Sequence, residues 1–271
     1  MQVTLTRLFG AATLASAILV AGCGNDDGAT ETRSIKVGTM SGPESEVMEV
    51  AVQIARERYD LEVEIIEFTD YVSPNAALAD GSLDANAFQH EPYLRSMIED
   101  RGYDLAVAGY TFVYPIGAYS ERHDSIEELP ERAIVALPND PTNGGRAMIL
   151  MHNAGLIELD DPENLEATPI NVVENPLGLR FREIEAAQLP RVLTDVDLAF
   201  INNTFAQPAG LRLDDALIQE GAESPYVNLI AVRAGDEERE EIQQLVSAYQ
   251  SEEVAAKAAE LFDGGAVPGW Q

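Results

Sequence analysis

Short runs that fit β-strands alternate along the chain with helical stretches, in two successive blocks of about a hundred residues each. IKVGTM (35–40) reads as a strand, Ser41-Gly42-Pro43 breaks it, and 44–59 carries Val47, Val50, Ala51, Ile54 and Ala55 at helical spacing. LEVEIIEF (61–68) alternates apolar residues with Glu, the period of a strand with one solvated face. A short helix is predicted over 75–79, a strand over 84–88 and a helix over 91–101 that stops at Gly102. Two extended segments follow within 105–119, interrupted at Gly109 and Pro115. The second block repeats this grammar, with strands at 133–137, 170–173, 179–184 and 198–201, and helices at 142–153 and, briefly, 190–194. A strand over 226–232 and helices over 236–250 and 252–262 complete the chain. Such alternation predicts an α/β protein with mostly parallel sheets, arranged as two lobes with a cleft between them. Ligands of such folds bind beyond the carboxyl ends of strands.

The N-terminus fixes the compartment. Residues 1–7 carry one basic side chain, and 8–21 are almost wholly apolar. That run of about 14 residues is too short to span a bilayer core, which needs roughly 20. A basic head, an apolar run and small residues at its end read as a secretory signal (1–22). Its end, LVAGC (19–23), is similar to the bacterial lipobox, whose cysteine becomes acylated. Cys23 is the sole cysteine, so no disulfide is possible within the chain. Its place at the mouth of a signal favours lipidation over the buried thiol that a lone cysteine otherwise is. Several acyl chains hold a protein at a membrane stably where one does not. The polar stretch GNDDGATET (24–32) then reads as part of a flexible tether spanning 23–33.

Nothing in the chain marks an enzyme. There is no G-x-S-x-G, G-x-G-x-x-G or Walker A motif, and His90, His123 and His152 lie about 30 residues apart, without metal-ligand spacing. No catalytic residue, cofactor or metal is expected. One constellation does stand out: NDPTNGGR (139–146) follows an apolar strand and opens a helix. Asp140 or Thr142 can cap that helix, and the glycines would let a ligand approach the backbone. The free N–H groups at its start would seat an anion, and Arg146 can fork onto a carboxylate. A surface ion pair with one of the many acidic neighbours is the competing explanation of Arg146. A second set is aromatic: Tyr71, Phe88, His90 and Tyr93, with Phe112 and Tyr114 further on. Core packing explains Phe112 well and Phe88 less well. A third is Asn202, Asn203 and Asn228, beside apolar strands, either as turn residues or as clamps for ammonium and carboxylate groups.

At these residues the chain resembles a known family. FTDYVSPNAALADGSLDANAFQHEPYL (68–94), TFVYPIGAYS (111–120), LPNDPTNGGRA (137–147), VVENP (172–176), ESPYVNLI (223–230) and FDGGAVPGW (262–270) are similar to the methionine-binding lipoproteins of the NlpA/MetQ type. The likeness runs in unbroken order through nearly the whole mature chain. It implies a type II periplasmic-binding-protein fold, with one lobe formed by 34–115 plus 226–271 and the other by 116–225. It implies capture of methionine, L- or D-, and delivery to an ABC permease and its ATPase subunit. Arg146 would pair with the ligand carboxylate, assisted by Asn143, while Asn202 and Asn228 would hold carboxylate and amino groups. Tyr71, Phe88, His90 and Tyr93 would wall the thioether. Asn203 and Phe205 depart from the Thr and Tyr frequent in relatives, which implies tuning without loss of binding. The competing readings are a binder of another amino acid or of a methionine-containing peptide, a hydrolase, and a structural lipoprotein without a ligand.

With 17 basic and 47 acidic residues the formal net charge is −30, and Lys36 and Lys257 are the two lysines. Such a field repels nucleic acid and anionic lipid, so neither is expected as a partner. The acidic residues are spread along the chain, which argues against a disordered acidic tail. This composition points to a protein adapted to a salty exterior, against the plainer alternative of an acidic periplasmic protein. Stability against denaturant should therefore rise from low to molar KCl; a flat curve counts against salt adaptation.

Overall fold

Ile35, Val37 and Met40 leave both faces of the first strand apolar and buried, which suits it to an interior position flanked by parallel neighbours. The computed structural model describes residues 33–221 and 224–270. The expected signal (1–22), Cys23 and nearly all of the tether lie outside the described residues; Arg33, expected as the tether's end, opens the first strand. In chain order the first lobe holds β1 (Arg33–Met40), α1 (Pro43–Tyr59), β2 (Leu61–Phe68), α2 (Ser73–Ala79), β3 (Ala85–His90), α3 (Glu91–Arg101) and β4 (Leu105–Val113). The chain then builds β5 (Ile116–Tyr119), β6 (Ile134–Pro138), α4 (Pro141–Asn153), β7 (Glu158–Leu159), β8 (Val172–Glu174) and β9 (Arg180–Ile184). After a 3-10 stretch (Ala186–Asp195) come β10 (Leu198–Asn202), α5 (Asn203–Ala206) and β11 (Ile218–Gln219). It returns to the first lobe as β12 (Val227–Arg233), α6 (Glu240–Tyr249), α7 (Glu252–Leu261) and β13 (Val267–Pro268).

The first sheet has the order β13-β4-β12-β3-β1-β2 and the second β11-β5-β10-β6-β9. Each is covered by helices, so the fold is α/β with two lobes. In the first, α1 lays Val47, Met48, Ala51, Ile54 and Ala55 inward, against the buried Ile242, Leu245 and Val254 of α6 and α7. Pro43 at its first turn, Glu44 and Glu46 near its amino end and Arg56 and Arg58 near its carboxyl end match the helix geometry and dipole. In the second lobe Phe200, Val135, Leu137, Met148 and Met151 fill one core between sheet and α4. Among the described residues no helix is long and apolar enough to cross a membrane.

The expectation of mostly parallel sheets is corrected: both sheets are mixed. β1 runs parallel to β2 and β3, but β12 is antiparallel to β3 and β4; likewise β6 runs parallel to β9 and β10, but β5 is antiparallel to β10 and β11. The reason is connectivity. β4 leaves the first sheet and β12 re-enters it, while β5 enters the second and β11 leaves it, so each departing strand lies beside an arriving one. Side-chain alternation carries no record of strand direction. Gly109 lies inside β4 and not at a break, because a Cβ there would come within 2.6 Å of Val246 on α6. Of the strand expected over 170–173, Pro169–Asn171 is a 3-10 turn, and β8 pairs with β7 outside both main sheets.

Candidate functional site

The carboxyl ends of β3, β6 and β10 converge on the seam between the lobes, where the next helix starts almost at once in each case. Around the seam Tyr71, Phe88, Gln89, His90, Tyr93, Tyr114, Asn143, Arg146, Asn202, Asn203, Thr204 and Asn228 line one small cavity. All eight ligand-site residues expected from the sequence therefore line one space.

At the helix start one of the two expected caps is present. Asp140 is the N-cap of α4, its side chain accepting from the Asn143 backbone N–H at 2.9 Å. One of the helix's first N–H groups is thus taken by the chain's own carboxylate, whose charge opposes a second anion there. The glycines do not face a ligand either. A Cβ on Gly144 would meet the Pro138 carbonyl oxygen at 3.0 Å, and one on Gly145 would meet the Leu165 carbonyl oxygen at 2.2 Å. They let the 165–167 backbone and the end of β6 pack directly on α4.

Asn143 is the hub of the polar floor. Its Nδ2 donates to Asp140 Oδ1 at 3.0 Å, and its Oδ1 accepts from Asn202 Nδ2 at 2.7 Å. His90, at the end of β3 in the other lobe, caps α3 by accepting from the Tyr93 N–H through Nδ1 at 3.1 Å. The ring proton of the neutral imidazole is then on Nε2, which donates to Asn143 Oδ1 at 3.3 Å. Burial, reinforced by the nearby Arg146 charge, pushes His90 down to about 3, so it is uncharged at neutral pH. Burial also raises the Asp140 carboxyl, opposed by the bonds from Asn143 and Thr142.

Arg146 is buried, at 2% exposure, and carries three kinds of contact. Its Nε donates to Glu220 Oε1 at 2.8 Å and its Nη2 pairs with Glu220 Oε2. The same Nη2 donates to the Tyr114 carbonyl at 3.0 Å, and the guanidinium lies 4.5 Å over the Tyr226 ring. Glu220 also accepts from the Ile116 N–H at 3.2 Å and from Ser224 Oγ at 3.1 Å. The acidic partner suspected for Arg146 thus exists, but the pair is interior. Nη1 makes no hydrogen bond among the described residues, nor do the buried Asn202 Oδ1, Asn203 Nδ2 and Tyr114 hydroxyl.

Opposite lies the aromatic wall. Tyr71 stands 6.0 Å from Phe88, 6.2 Å from Tyr93 and 5.1 Å from Phe205 between ring centroids. The Tyr93 hydroxyl, donating to the Tyr71 carbonyl at 2.9 Å, fixes two of these rings together. Phe112 packs instead against Trp270 and Tyr249, a core role as expected. Gln89 and Thr204 also line the cavity, and Glu220 and Tyr226 brace Arg146; nothing in their local sequence distinguishes them.

The chain matches the NlpA lipoprotein family profile over residues 35–270. It is 49% identical over 271 residues to the probable D-methionine-binding lipoprotein MetQ of Vibrio cholerae, covering 100% of both chains. It is 48% identical over 260 residues to the D-methionine-binding lipoprotein MetQ of Escherichia coli, covering 95% of each. Among solved structures, a nutrient-binding protein of Burkholderia cenocepacia bound to methionine superposes with a TM-score of 0.85 at 48% identity, over 87% of this chain and 99% of that one.

Two outcomes follow from the floor geometry. Removing one member of a buried ion pair leaves the other uncompensated, so Glu220→Ala should lower stability in denaturant titrations by about 3–5 kcal/mol; a loss below about 1 kcal/mol would show that the pair is not structurally important. His90 has a depressed folded-state value, so its contribution is complete above the ordinary 6.5 and is lost as pH falls from there toward about 3. Its ring carbon NMR shifts should stay those of a neutral imidazole at pH 5, and a midpoint near 6.5 would contradict this.

Proposed function

The chain belongs to the NlpA lipoprotein family, and from that premise we propose that it captures methionine outside the cytoplasm and hands it to an ABC permease and its ATPase. The observation that carries the reading is the charge balance of the cavity floor. Arg146 is already neutralised by Glu220, and His90 is uncharged. A simple anion brought to Nη1 would add an uncompensated buried charge, which is costly. A zwitterion brings its own counter-charge. Its carboxylate can take the Arg146 Nη1 donor, and its ammonium can donate to Asn202 Oδ1 and Asn228. The wall of Tyr71, Phe88, His90 and Tyr93 suits a soft thioether, which offers little beyond dispersion and sulfur–ring contact.

The cavity is small and lined closely by side chains from both lobes, which favours a single amino acid over a peptide. In this reading the protein binds and releases its solute without turnover, and Cys23 carries the lipid that holds it at the membrane, facing the periplasm or cell exterior. Residues 34–115 with 226–271 form one lobe and 116–225 the other, so a ligand touching Asn228 and His90 on one side and Asn143 and Asn202 on the other draws them together.

Calorimetry on protein unfolded and refolded to remove carried-over ligand tests this directly. Methionine, L- or D-, should give saturable heat, and aspartate and glutamate should not. Asn228 makes no side-chain hydrogen bond to the described residues, so Asn228→Ala should leave the fold intact. It should cost about 1–3 kcal/mol, roughly 5- to 150-fold in affinity. Tight glutamate binding, or no response to methionine, would overturn the proposal.

A further inference from the structure

Glu44 has no part in the cavity floor or the aromatic wall, yet it is a buried carboxyl, 3% exposed, at the start of α1. It makes no ion pair among the described residues. Its hydrogen bond crosses the seam: Thr204 Oγ1, on α5 of the other lobe, donates to Glu44 Oε1 at 2.5 Å. Thr204 itself lines the solute cavity, so Glu44 sits directly behind a cavity-wall residue. Nearby the seam is closed again by Gln207 Nε2, which donates to the Leu261 carbonyl at 3.2 Å, and by the contact of Tyr71 with Phe205 at 5.1 Å.

We propose that the Glu44–Thr204 hydrogen bond is the latch that holds the two lobes closed over the solute. The inference rests on reading the cavity as a solute site that opens and closes. Opening separates α5 from α1 and admits water to a carboxyl that the closed form keeps dry. The groups facing Glu44 are Thr204 from α5, Tyr71 from the loop after β2, Tyr114 from the segment after β4, and Tyr249 from α6. None of them is a cation, and burial holds the three phenols above their ordinary range, so all remain neutral. The amino end of α1 favours the anion, and so does the Thr204 bond, but burial outweighs both and pushes Glu44 up to about 8.

The sign of the coupling follows. Glu44 is neutral in the closed form up to about pH 8, and in a wetted, open form it titrates near its ordinary 4.5. Closure therefore takes up a proton between those values. The latch is fully effective below the open-form value, weakens as pH rises from there toward about 8, and has nothing further to lose above it.

Methionine titrations from about pH 5 to pH 8, in buffers of different ionisation enthalpy, test the latch. In the wild type, the Glu44 contribution makes affinity fall with rising pH by up to about tenfold per unit, with a proton taken up on binding. Glu44→Gln keeps a neutral hydrogen-bonding side chain, so it should lose that fall and that uptake and bind more tightly than wild type at pH 8. His90, wetted by the same opening, gives up a proton on closure below its ordinary 6.5; this opposite contribution, like the ligand's own titration, is common to both proteins, so the difference between the two profiles reports Glu44. Equal pH profiles and equal proton uptake in the two proteins would overturn the latch. Thr204→Val is the second variant: it should bind about tenfold or more weakly at pH 5, and wild-type affinity there would also overturn it. Should no methionine bind at all, the solute reading fails separately and small-angle X-ray scattering of the ligand-free protein decides. A radius of gyration that shrinks from pH 8 to pH 5 in wild type but not in Glu44→Gln supports the latch, and identical behaviour overturns it.

Discussion

Arg146 and Glu220 form an interior ion pair at the point where helix α4 meets both segments by which the chain passes between its sheets. Tyr114 lies in the outgoing segment between β4 and β5, and Glu220 and Tyr226 lie in the returning one between β11 and β12. One guanidinium therefore holds the first crossover through a carbonyl, and the second through a carboxylate and a ring. Taking either charge out of water costs several kcal/mol, and only close pairing with further hydrogen bonds offsets it. The Ile116 N–H and Ser224 hydroxyl supply those further bonds to Glu220. The arrangement fixes where α4 can sit, and with it Asn143 and the floor of the cavity.

From that fixed point the polar network runs outward with little freedom. Asp140 orients the Asn143 amide, Asn143 presents its oxygen to Asn202 and His90, and His90 is locked into one tautomer by the Tyr93 N–H. Two lobes are thereby joined through a neutral hydrogen bond, His90 to Asn143, directly at the solute cavity. Neutral links of this kind are cheaper to break on opening than a buried ion pair. The charged pair lies where the chain crosses between lobes, whereas the links that the proposed opening would break, His90–Asn143 and Glu44–Thr204, carry no net charge in this structure.

The sequence makes much of this legible, and the gaps have identifiable causes. The helix over 91–101 and its stop at Gly102 coincide with α3, because a capping residue, an apolar face and a left-handed glycine agree locally. Arg146, Asn143 and the aromatic set are recognisable because strand-turn-helix chemistry and unusual residue types mark them. Glu220 is not: among 47 acidic residues no local signal selects the one whose partner is 74 positions away. Glu44 is hidden for the same reason, since an acid in the first turn of a helix is what the dipole alone would place there. The roles of Gly144 and Gly145 are not legible locally, because a permissive backbone serves a ligand and a packed loop equally well. Strand direction is not legible either, because it is set by the return of the chain from the second lobe and not by any strand's own side chains.

The acidic surface and the interior follow opposite electrostatic rules. Outside, a formal charge of −30 is spread over side chains in high dielectric, where repulsion is long-ranged but screened by salt. Inside, Glu44 and His90 are held neutral, Arg146 is matched by Glu220, and Asp140 stands behind the lining, bonded to Asn143 at the start of α4, so the lining itself presents dipoles and one balanced pair. A ligand with no net charge is neither drawn in nor turned away by the surface field to first order. In the proposed reading it is selected by whether its own two charges find the free donor on Arg146 and the free acceptor on Asn202. This separation leaves the surface charge free to change without altering the groups that line the cavity.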